Sequence, residues 1–185
     1  MSRTKRVALC ALFTALLVVS GFVRIPTPVI AITLQVQVAL LAGVLLGGEW
    51  GALSALVYTA LGLIGLPVFA YGGGISYALQ PTFGYLLGLS VGAFVAGKIA
   101  KRGEASYARL FLSAAAGLGV VYLLGTAYAL CILLFYLGET PLWKEFLVGY
   151  IAIPLCKDVL LTAVCLPPVK RLLPRLNAAV NEKRE

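Results

Sequence analysis

The chain has 185 residues, of which 61% are hydrophobic and only 12% are charged, and its net charge is +8. Soluble domains carry roughly 45–50% apolar and about 25% charged residues, so this composition excludes a soluble protein and indicates an all-α integral membrane protein. The sequence contains no histidine, which excludes histidine-based metal sites, Ser-His-Asp triads and the HExxH zinc motif.

Six apolar stretches have about the length that a helix needs to cross a bilayer, roughly 20 residues. In chain order they are Val7–Val23, Ile32–Gly48, Gly51–Leu66, Thr82–Ile99, Leu110–Leu137 and Glu145–Leu166. We therefore predict a single bundle of six transmembrane helices over residues 1–185, with no second domain. Because no A-x-A-like cleavage site follows Val19, we expect the first stretch to be a membrane helix rather than a signal peptide.

The basic residues cluster at the ends of these stretches and predict the orientation. If the N-terminus is cytoplasmic, the C-terminus is too, and twelve basic residues lie inside: Arg3, Lys5, Arg6, Lys98, Lys101, Arg102, Arg109, Lys170, Arg171, Arg175, Lys183 and Arg184. Only Arg24 and Lys144 then lie outside, which is a strong positive-inside bias. The same distribution accounts for the positive charge without nucleic acid as a partner.

Two connections on the predicted outer side have unusual sequences. The first, Arg24–Ala31, contains Pro26 and Pro28, which favour extended backbone and prevent a helix from continuing. The other, Pro67–Pro81, contains three consecutive glycines followed by apolar and aromatic residues. A solvated linker would be more polar, so this loop either folds back as a lid or pocket wall or simply packs on the bundle.

Small residues recur at a spacing that lets helices approach closely in lipid. In the fourth stretch, Gly84, Gly88 and Gly92 lie four residues apart, and we interpret them as a packing face within the bundle. In the first stretch, Ala11 and Ala15 form a similar face near the start of the chain, which could serve a partner protein.

One motif is rejected. The segment Gly92–Lys98 matches the start of a P-loop, but Ile99 follows where Ser or Thr is required, and the segment lies in an apolar stretch. Any process driven by ATP must therefore take its energy from another chain. The four cysteines have no CxxC spacing and are interpreted as packing residues.

Lys157 and Asp158 lie in the middle of an otherwise apolar stretch. A charge at bilayer depth costs about 2.5–3.5 kcal/mol on insertion scales, and such residues usually face a cavity or the bundle interior. Pro154 cannot donate its backbone hydrogen bond, so we expect the helix to be kinked or loosened just before the pair. The pair either lines a ligand-binding cavity or forms an ion pair. A proton relay is disfavoured because the other stretches offer no acidic or histidine partner.

Two segments carry a longer pattern. Ile25–Gln35 reads IPTPVIAITLQ, and Leu63–Leu89 reads LIGLPVFAYGGGISYALQPTFGYLLGL. Both resemble the BioY family, the biotin-specific substrate-binding (S) components of energy-coupling-factor (ECF) vitamin transporters. That family typically shows a proline-rich first loop ending in TLQ, a GLPVF segment, a glycine cluster and a PTxGYL turn into the fourth helix. The resemblance covers roughly Val7 to Leu172.

The resemblance implies a six-helix S-component that captures biotin from outside at high affinity, in the bacterial cytoplasmic membrane. A membrane scaffold subunit and two ATPase subunits would supply the energy, and the resemblance implies neither an enzyme nor a cofactor. An AxxxA face on the first helix typically contacts the scaffold, and Ala11 and Ala15 match it. The alternatives are an S-component for thiamine or riboflavin and a non-transporting membrane scaffold.

The resemblance also implies site residues. The family carries an Asp on the sixth helix near the ligand, commonly followed three positions later by a Lys. Asp158 matches the Asp, but Leu161 occupies the later position and the lysine precedes the Asp, at Lys157. Lys157 either replaces the missing lysine from a different helix angle or only neutralises Asp158. The ureido ring of biotin has two N–H donors and one carbonyl, which a carboxylate and a donor could pair.

Further contacts are predicted in the motifs and loops. Polar contacts to the ligand are expected from Gln35, Tyr77, Gln80, Thr82 and Tyr85. The carboxylate of biotin needs a donor nearer the exit, for which Arg24, Lys157 or backbone N–H groups could serve. The apolar parts of biotin would suit the apolar and aromatic loop.

Overall fold

The computed structural model describes residues 3–26, 31–102 and 106–181, with the backbone alone for 175–181. Its α-helices are α1 (Arg3–Phe22), α2 (Gln35–Leu46), α3 (Gly48–Leu63), α4 (Phe83–Ala100), α5 (Tyr107–Cys131), α6 (Trp143–Phe146) and α7 (Ile153–Asn181). A π-helical segment, Leu147–Ala152, joins α6 and α7 into one sixth helix, and another, Ile132–Tyr136, extends α5. The predicted count of six helices therefore agrees with the structure. The predictions for Pro28, Lys183 and Arg184 lie outside the described residues.

Four of the described helices are long and apolar enough to cross a membrane: Arg3–Phe22, Phe83–Ala100, Tyr107–Tyr136 and Trp143–Pro174. The other two are shorter, since α2 has 12 residues and α3 has 16. At about 1.5 Å per residue, α2 spans only about 18 Å. The protein is thus a multi-pass helical membrane protein with two short helices.

The predicted bounds of the second stretch, Ile32–Gly48, need correction. Ile32 and Thr33 do not continue a helix but form a strand, β2, which pairs antiparallel with β1 (Arg24–Ile25). The first connection therefore forms a short β-ribbon, here defined as β1 and β2. Strand pairing satisfies the backbone polar groups of this segment in place of helical hydrogen bonds.

The sixth helix differs from its prediction at its C-terminal end. It continues past the predicted end at Leu166 and contains Pro167, Pro168 and Pro174. The expected loosening before Pro154 corresponds to the π-helical segment Leu147–Ala152, after which α7 begins at Ile153. Pro154 has no N–H to donate within this continuous helix, and the carbonyl of Tyr150, four residues before it, accepts from the Tyr85 hydroxyl at 2.7 Å.

Close glycine contacts place α4 against α2, α3 and α5. A Cβ added at Gly43 of α2 would lie 2.1 Å from the carbonyl oxygen of Ala93 in α4. A Cβ at Gly84 would lie 2.2 Å from Cβ of Tyr128 in α5, and Gly88 meets the backbone of the same helix. The glycine face of α4 therefore packs within the bundle, as predicted.

One end of the bundle carries many of the basic residues. Gly47 turns the chain between α2 and α3 with a φ of 96°, a conformation that favours glycine. The ammonium of Lys101 donates to the carbonyl of Leu46 at 3.2 Å, and Lys98 pairs with Glu49 at 2.8 Å. Burial, and then the nearby Arg6, lower the pKa of Lys101. We call this the basic end.

The opposite end carries the β-ribbon and residues 64–82, here called the glycine loop. This loop contains a short 3₁₀ helix, Ile75–Leu79. Phe69 is only 1% exposed and packs its ring against Tyr58 and Tyr77. A Cβ at Gly62 would lie 2.0 Å from the Phe69 ring, so the glycine makes room for it. The loop is thereby folded onto the bundle.

Candidate ligand-binding site

A pocket lies beneath the β-ribbon and the glycine loop. It encloses about 620 Å³ of space between atoms, including the part that is open to solvent. Residues of the ribbon, the loop, α2, α4, α5 and α7 line it. Small-molecule sites are typically apolar clefts with a few placed polar groups, and the lining of this pocket fits that description. Within the described residues, no group of three His, Cys, Asp or Glu side chains could hold a metal ion.

Asp158 is the charged centre of this pocket. It is 0% exposed, and both of its carboxylate oxygens have short partners. The Tyr122 hydroxyl donates to Oδ2 at 2.6 Å, and the Lys157 ammonium lies 2.6 Å from Oδ1. Lys157 and Asp158 therefore form an ion pair and also line the cavity, so both alternatives for the charged pair apply. A buried carboxylate needs such partners because burial without them strongly disfavours its charged form.

A polar floor holds Asp158 from below. The Gln37 side chain donates to the backbone carbonyl of Asp158 at 2.7 Å. Thr162, one turn further along α7, donates to the Gln37 amide oxygen at 3.3 Å. Gln37 and Thr162 are both buried. This network ties α2 to α7 directly beneath the carboxylate and fixes its orientation.

Lys157 extends from α7 toward the β-ribbon. Its ammonium donates to the backbone carbonyl of Thr33 at 2.5 Å, while its side chain is 22% exposed. The long aliphatic stem of Lys157 lets its ammonium reach the ribbon carbonyl while staying beside Asp158, the next residue along the helix. Lys157 therefore contacts the ribbon and the buried carboxylate at once.

Aromatic and hydroxyl groups form the rest of the wall. The Tyr85 ring meets the Tyr122 ring edge to face at 5.7 Å, and its hydroxyl donates to the Tyr150 carbonyl at 2.7 Å. Burial raises the pKa of Tyr77, which keeps this hydroxyl protonated. Thr82 lines the pocket, and its buried hydroxyl lies next to that of Tyr77, with no hydrogen bond of good geometry among the described residues. That hydroxyl is available to a ligand.

Six predicted site residues line this one pocket: Gln35, Tyr77, Thr82, Tyr85, Lys157 and Asp158. Two others do not line it. Arg24 is exposed and lies over the Tyr71 ring at 5.2 Å, and Gln80 is the extended residue that ends the 3₁₀ helix. Gln35 is also engaged elsewhere, because its side chain donates to the Tyr58 hydroxyl.

Sequence reasoning missed three polar residues that line the pocket, Thr33, Tyr71 and Tyr122, and two that support Asp158 from outside it, Gln37 and Thr162. Tyr122 and Gln37 stand inside apolar stretches, where a polar side chain is a usable signal. Their relation to Asp158 depends on how α2, α5 and α7 pack, which no local pattern specifies. Tyr71 lies in a loop where several aromatic residues occur, so its sequence position alone does not distinguish it.

The predicted partner-binding residues lie away from the pocket. Ala11 and Ala15 are exposed on α1 and line an apolar surface groove with Trp50 and Leu53 of α3. This face has the small side chains that permit close helix approach.

Comparisons with known proteins agree on one family. The model of the BioY family matches residues 1–178. The "Probable biotin transporter BioY" of Lysinibacillus sphaericus is 43% identical over 150 residues, which cover 80% of this chain and 76% of the relative. The "Biotin transporter BioY" of Thermotoga maritima is 40% identical over 141 residues, covering 76% and 79%.

A solved structure has the same fold. The crystal structure of "the S-component for biotin from an ECF-type ABC transporter" superposes with a TM-score of 0.77 at 26% identity, over 93% of this chain and 94% of that chain. The expected resemblance is confirmed over nearly the whole chain: this protein belongs to the BioY family.

Proposed function

We propose that this protein captures biotin on the outer side of the bacterial cytoplasmic membrane, as the S-component of an ECF transporter. The observation that carries the proposal is the pocket, in which one buried carboxylate, one ammonium and the buried Thr82 hydroxyl stand among apolar and aromatic residues. Members of the same family are named biotin transporters. They are named as transporters and not as enzymes.

The chemistry of biotin suits this arrangement. The ureido ring has two N–H donors, for which the Asp158 carboxylate is an acceptor, and a carbonyl that the Thr82 hydroxyl can reach as a donor. The rings of Tyr77 and Tyr85 offer apolar surface to the fused rings of biotin. The valeryl carboxylate then lies toward the mouth, on the side of the ribbon that carries Arg24.

Transport further requires partners that supply energy. The chain contains no complete P-loop, so two ATPase subunits and a membrane scaffold are proposed as separate chains. The face containing Ala11 and Ala15 is proposed to contact the scaffold. Both termini and the basic end lie in the cytoplasm in this proposal, which puts the pocket outside.

Thermal stabilisation of the purified protein tests the ligand. A ligand at 100 times its Kd stabilises the folded state by about 2.7 kcal/mol. We expect biotin to raise the denaturation temperature at submicromolar to micromolar concentrations, with thiamine and riboflavin as matched controls that leave it unchanged. Stabilisation by either control without stabilisation by biotin would assign another vitamin, and no response to any of the three would favour a non-transporting scaffold.

A further inference from the structure

The β-ribbon is connected to the glycine loop by a continuous chain of polar contacts that starts at Asp158. Lys157 lies between the Asp158 carboxylate, at 2.6 Å, and the Thr33 carbonyl, at 2.5 Å. The Thr33 hydroxyl donates to the Gln35 amide oxygen at 3.0 Å. The Gln35 amide in turn donates to the hydroxyl of Tyr58.

The chain of contacts ends in the glycine loop. Tyr58 is fully buried, and its hydroxyl donates to the Val68 carbonyl at 3.1 Å. Val68 precedes Phe69, the residue that anchors the loop in the core. Arg24 of the ribbon also lies over the Tyr71 ring of the loop. Both walls of the pocket are therefore tied to each other and, through Lys157, to α7.

We propose that Lys157 is a positioning residue that holds the β-ribbon over the pocket, and that it does not bind the carboxylate of the ligand. This inference rests on the proposed capture of biotin, since it assigns a role within that site. The ammonium already has a carboxylate and a carbonyl as acceptors, so the pair with Asp158 carries no net charge. These contacts use two of the three N–H donors of the ammonium, and the neutral pair exerts no net charge attraction on a ligand carboxylate.

The place of Lys157 in the sequence supports this role. A lysine three positions after Asp158 would lie almost one turn further along α7, toward the polar floor at Thr162. Position 157 instead lies on the ribbon side, and its side chain reaches a backbone carbonyl there. Because the acceptor is a backbone carbonyl, this hydrogen bond depends on where the ribbon lies and not on which side chains the ribbon carries.

Two ligands separate positioning from direct recognition. Biotin and biotin methyl ester share the fused rings, but only biotin has a charged carboxylate. We expect Lys157→Met to weaken both by at least about tenfold, because it frees the ribbon and leaves Asp158 without its cation. The two losses should agree within about twofold, since the carboxylate and Lys157 are then uncoupled. If Lys157→Met instead abolishes the preference between biotin and its ester, the lysine binds the carboxylate and the proposal is wrong.

A distance measurement reads the ribbon directly and needs no ligand. Spin labels at Ile25 and Leu160, which are 65% and 69% exposed, are introduced into a chain whose four cysteines have been replaced. In the ligand-free protein, Lys157→Met should broaden the distribution of distances between the two labels. Lys157→Arg should give a distribution almost as narrow as that of the protein with Lys157. An unchanged distribution in Lys157→Met would overturn the proposal even if the wild-type protein failed to bind biotin.

Tyr58→Phe provides a second variant outside the pocket, should Lys157→Met not fold. It removes only the hydroxyl that connects Gln35 to Val68. We expect a broader distribution and faster dissociation of both biotin and the ester. Tyr136→Phe is the matched control, because that ring is 58% exposed, and it should change neither quantity. Identical behaviour of the two variants would contradict the connected chain of contacts.

Discussion

The energetic problem at the level of single residues is the carboxylate of Asp158, which is completely buried in a membrane protein. Three groups compensate for the lost hydration, namely Tyr122, Lys157 and Gln37. Only Lys157 carries a charge. A buried acceptor that loses one donor typically costs about 1–3 kcal/mol, so this cluster is sensitive to any change that alters its number of donors.

Asp158→Asn tests the carboxylate with almost no change in shape. The amide has one acceptor oxygen in place of two and adds an N–H₂ group that faces the donors Tyr122 and Lys157. We expect at least a tenfold loss of biotin affinity, about 1.4 kcal/mol, in a binding titration. Glu139→Gln is the control, because it removes the same charge from an exposed residue and should bind normally. Unchanged binding in Asp158→Asn would remove this residue from the site.

The local sequence pattern predicts Asp158 as a site residue but not Tyr122, whose hydroxyl donates to it. The charge of Asp158 stands out in any apolar segment, and the family motif repeats it. Tyr122 lies 36 residues away on α5, and only the approach of α5 to α7 puts its hydroxyl 2.6 Å from the carboxylate. Arg24 is the opposite case. Its position in the proline-rich segment predicts a contact with the ligand, but its side chain lies over the Tyr71 ring instead.

At the level of helices, glycine contacts determine how closely α2 and α5 approach α4. Gly43 faces the Ala93 carbonyl, and Gly92 faces the Gly117 carbonyl. Backbone atoms cannot move aside as side chains can, so these distances control the separation of helices that line the pocket. The spacing of glycines on α4 predicted this packing, whereas the short length of α2 followed only from the strand before it.

Gly43→Ala should therefore be destabilising. Its Cβ would lie 2.1 Å from the Ala93 carbonyl oxygen, and overpacking of this kind typically costs about 1–3 kcal/mol. The expected result is a lower denaturation temperature and weaker biotin binding. Gly119→Ala on α5 is the matched control, because nothing lies within 4 Å of its added Cβ. It should leave the temperature unchanged or raise it. Equal denaturation temperatures for the two variants would show that α2 and α4 can move apart without loss of stability.

At the scale of the whole molecule, the two ends of the bundle differ in charge and in construction. The basic end has a tight glycine turn that Lys98 and Lys101 contact, while the opposite end has the ribbon, the glycine loop and the pocket. The positive-inside rule predicts that the basic end lies in the cytoplasm. This orientation would open the pocket to the outside.

Cysteine labelling tests that orientation. In a chain without its native cysteines, Ser76→Cys in the glycine loop should react with a membrane-impermeant maleimide on intact cells, because Ser76 is exposed there. Ser106→Cys, exposed at the start of α5, should react only after the membrane is opened. The reverse pattern would invert the molecule and exclude uptake from outside through this pocket.

Docking to a scaffold is a separate property from ligand capture. Ala15→Trp places a large ring on the exposed small-residue face of α1. It should leave biotin-dependent thermal stabilisation intact while reducing biotin uptake by cells to near background. Leu123→Trp, on a residue of α5 that is 69% exposed, should support normal uptake. Normal uptake in Ala15→Trp would place the scaffold contact elsewhere.

The sequence by itself determined that the chain is a helical membrane protein, how many helices it has and which family it resembles. These properties depend on composition, on apolar length and on motifs that are contiguous along the chain. Tertiary structure alone decided which polar groups meet. Tyr122, Gln37 and Thr33 each lie more than 30 residues from Asp158 or Lys157, and their contacts require α2, α5, α7 and the ribbon to pack in one arrangement. Hydrogen bonds act over about 3 Å, so small differences in helix packing decide whether such contacts exist.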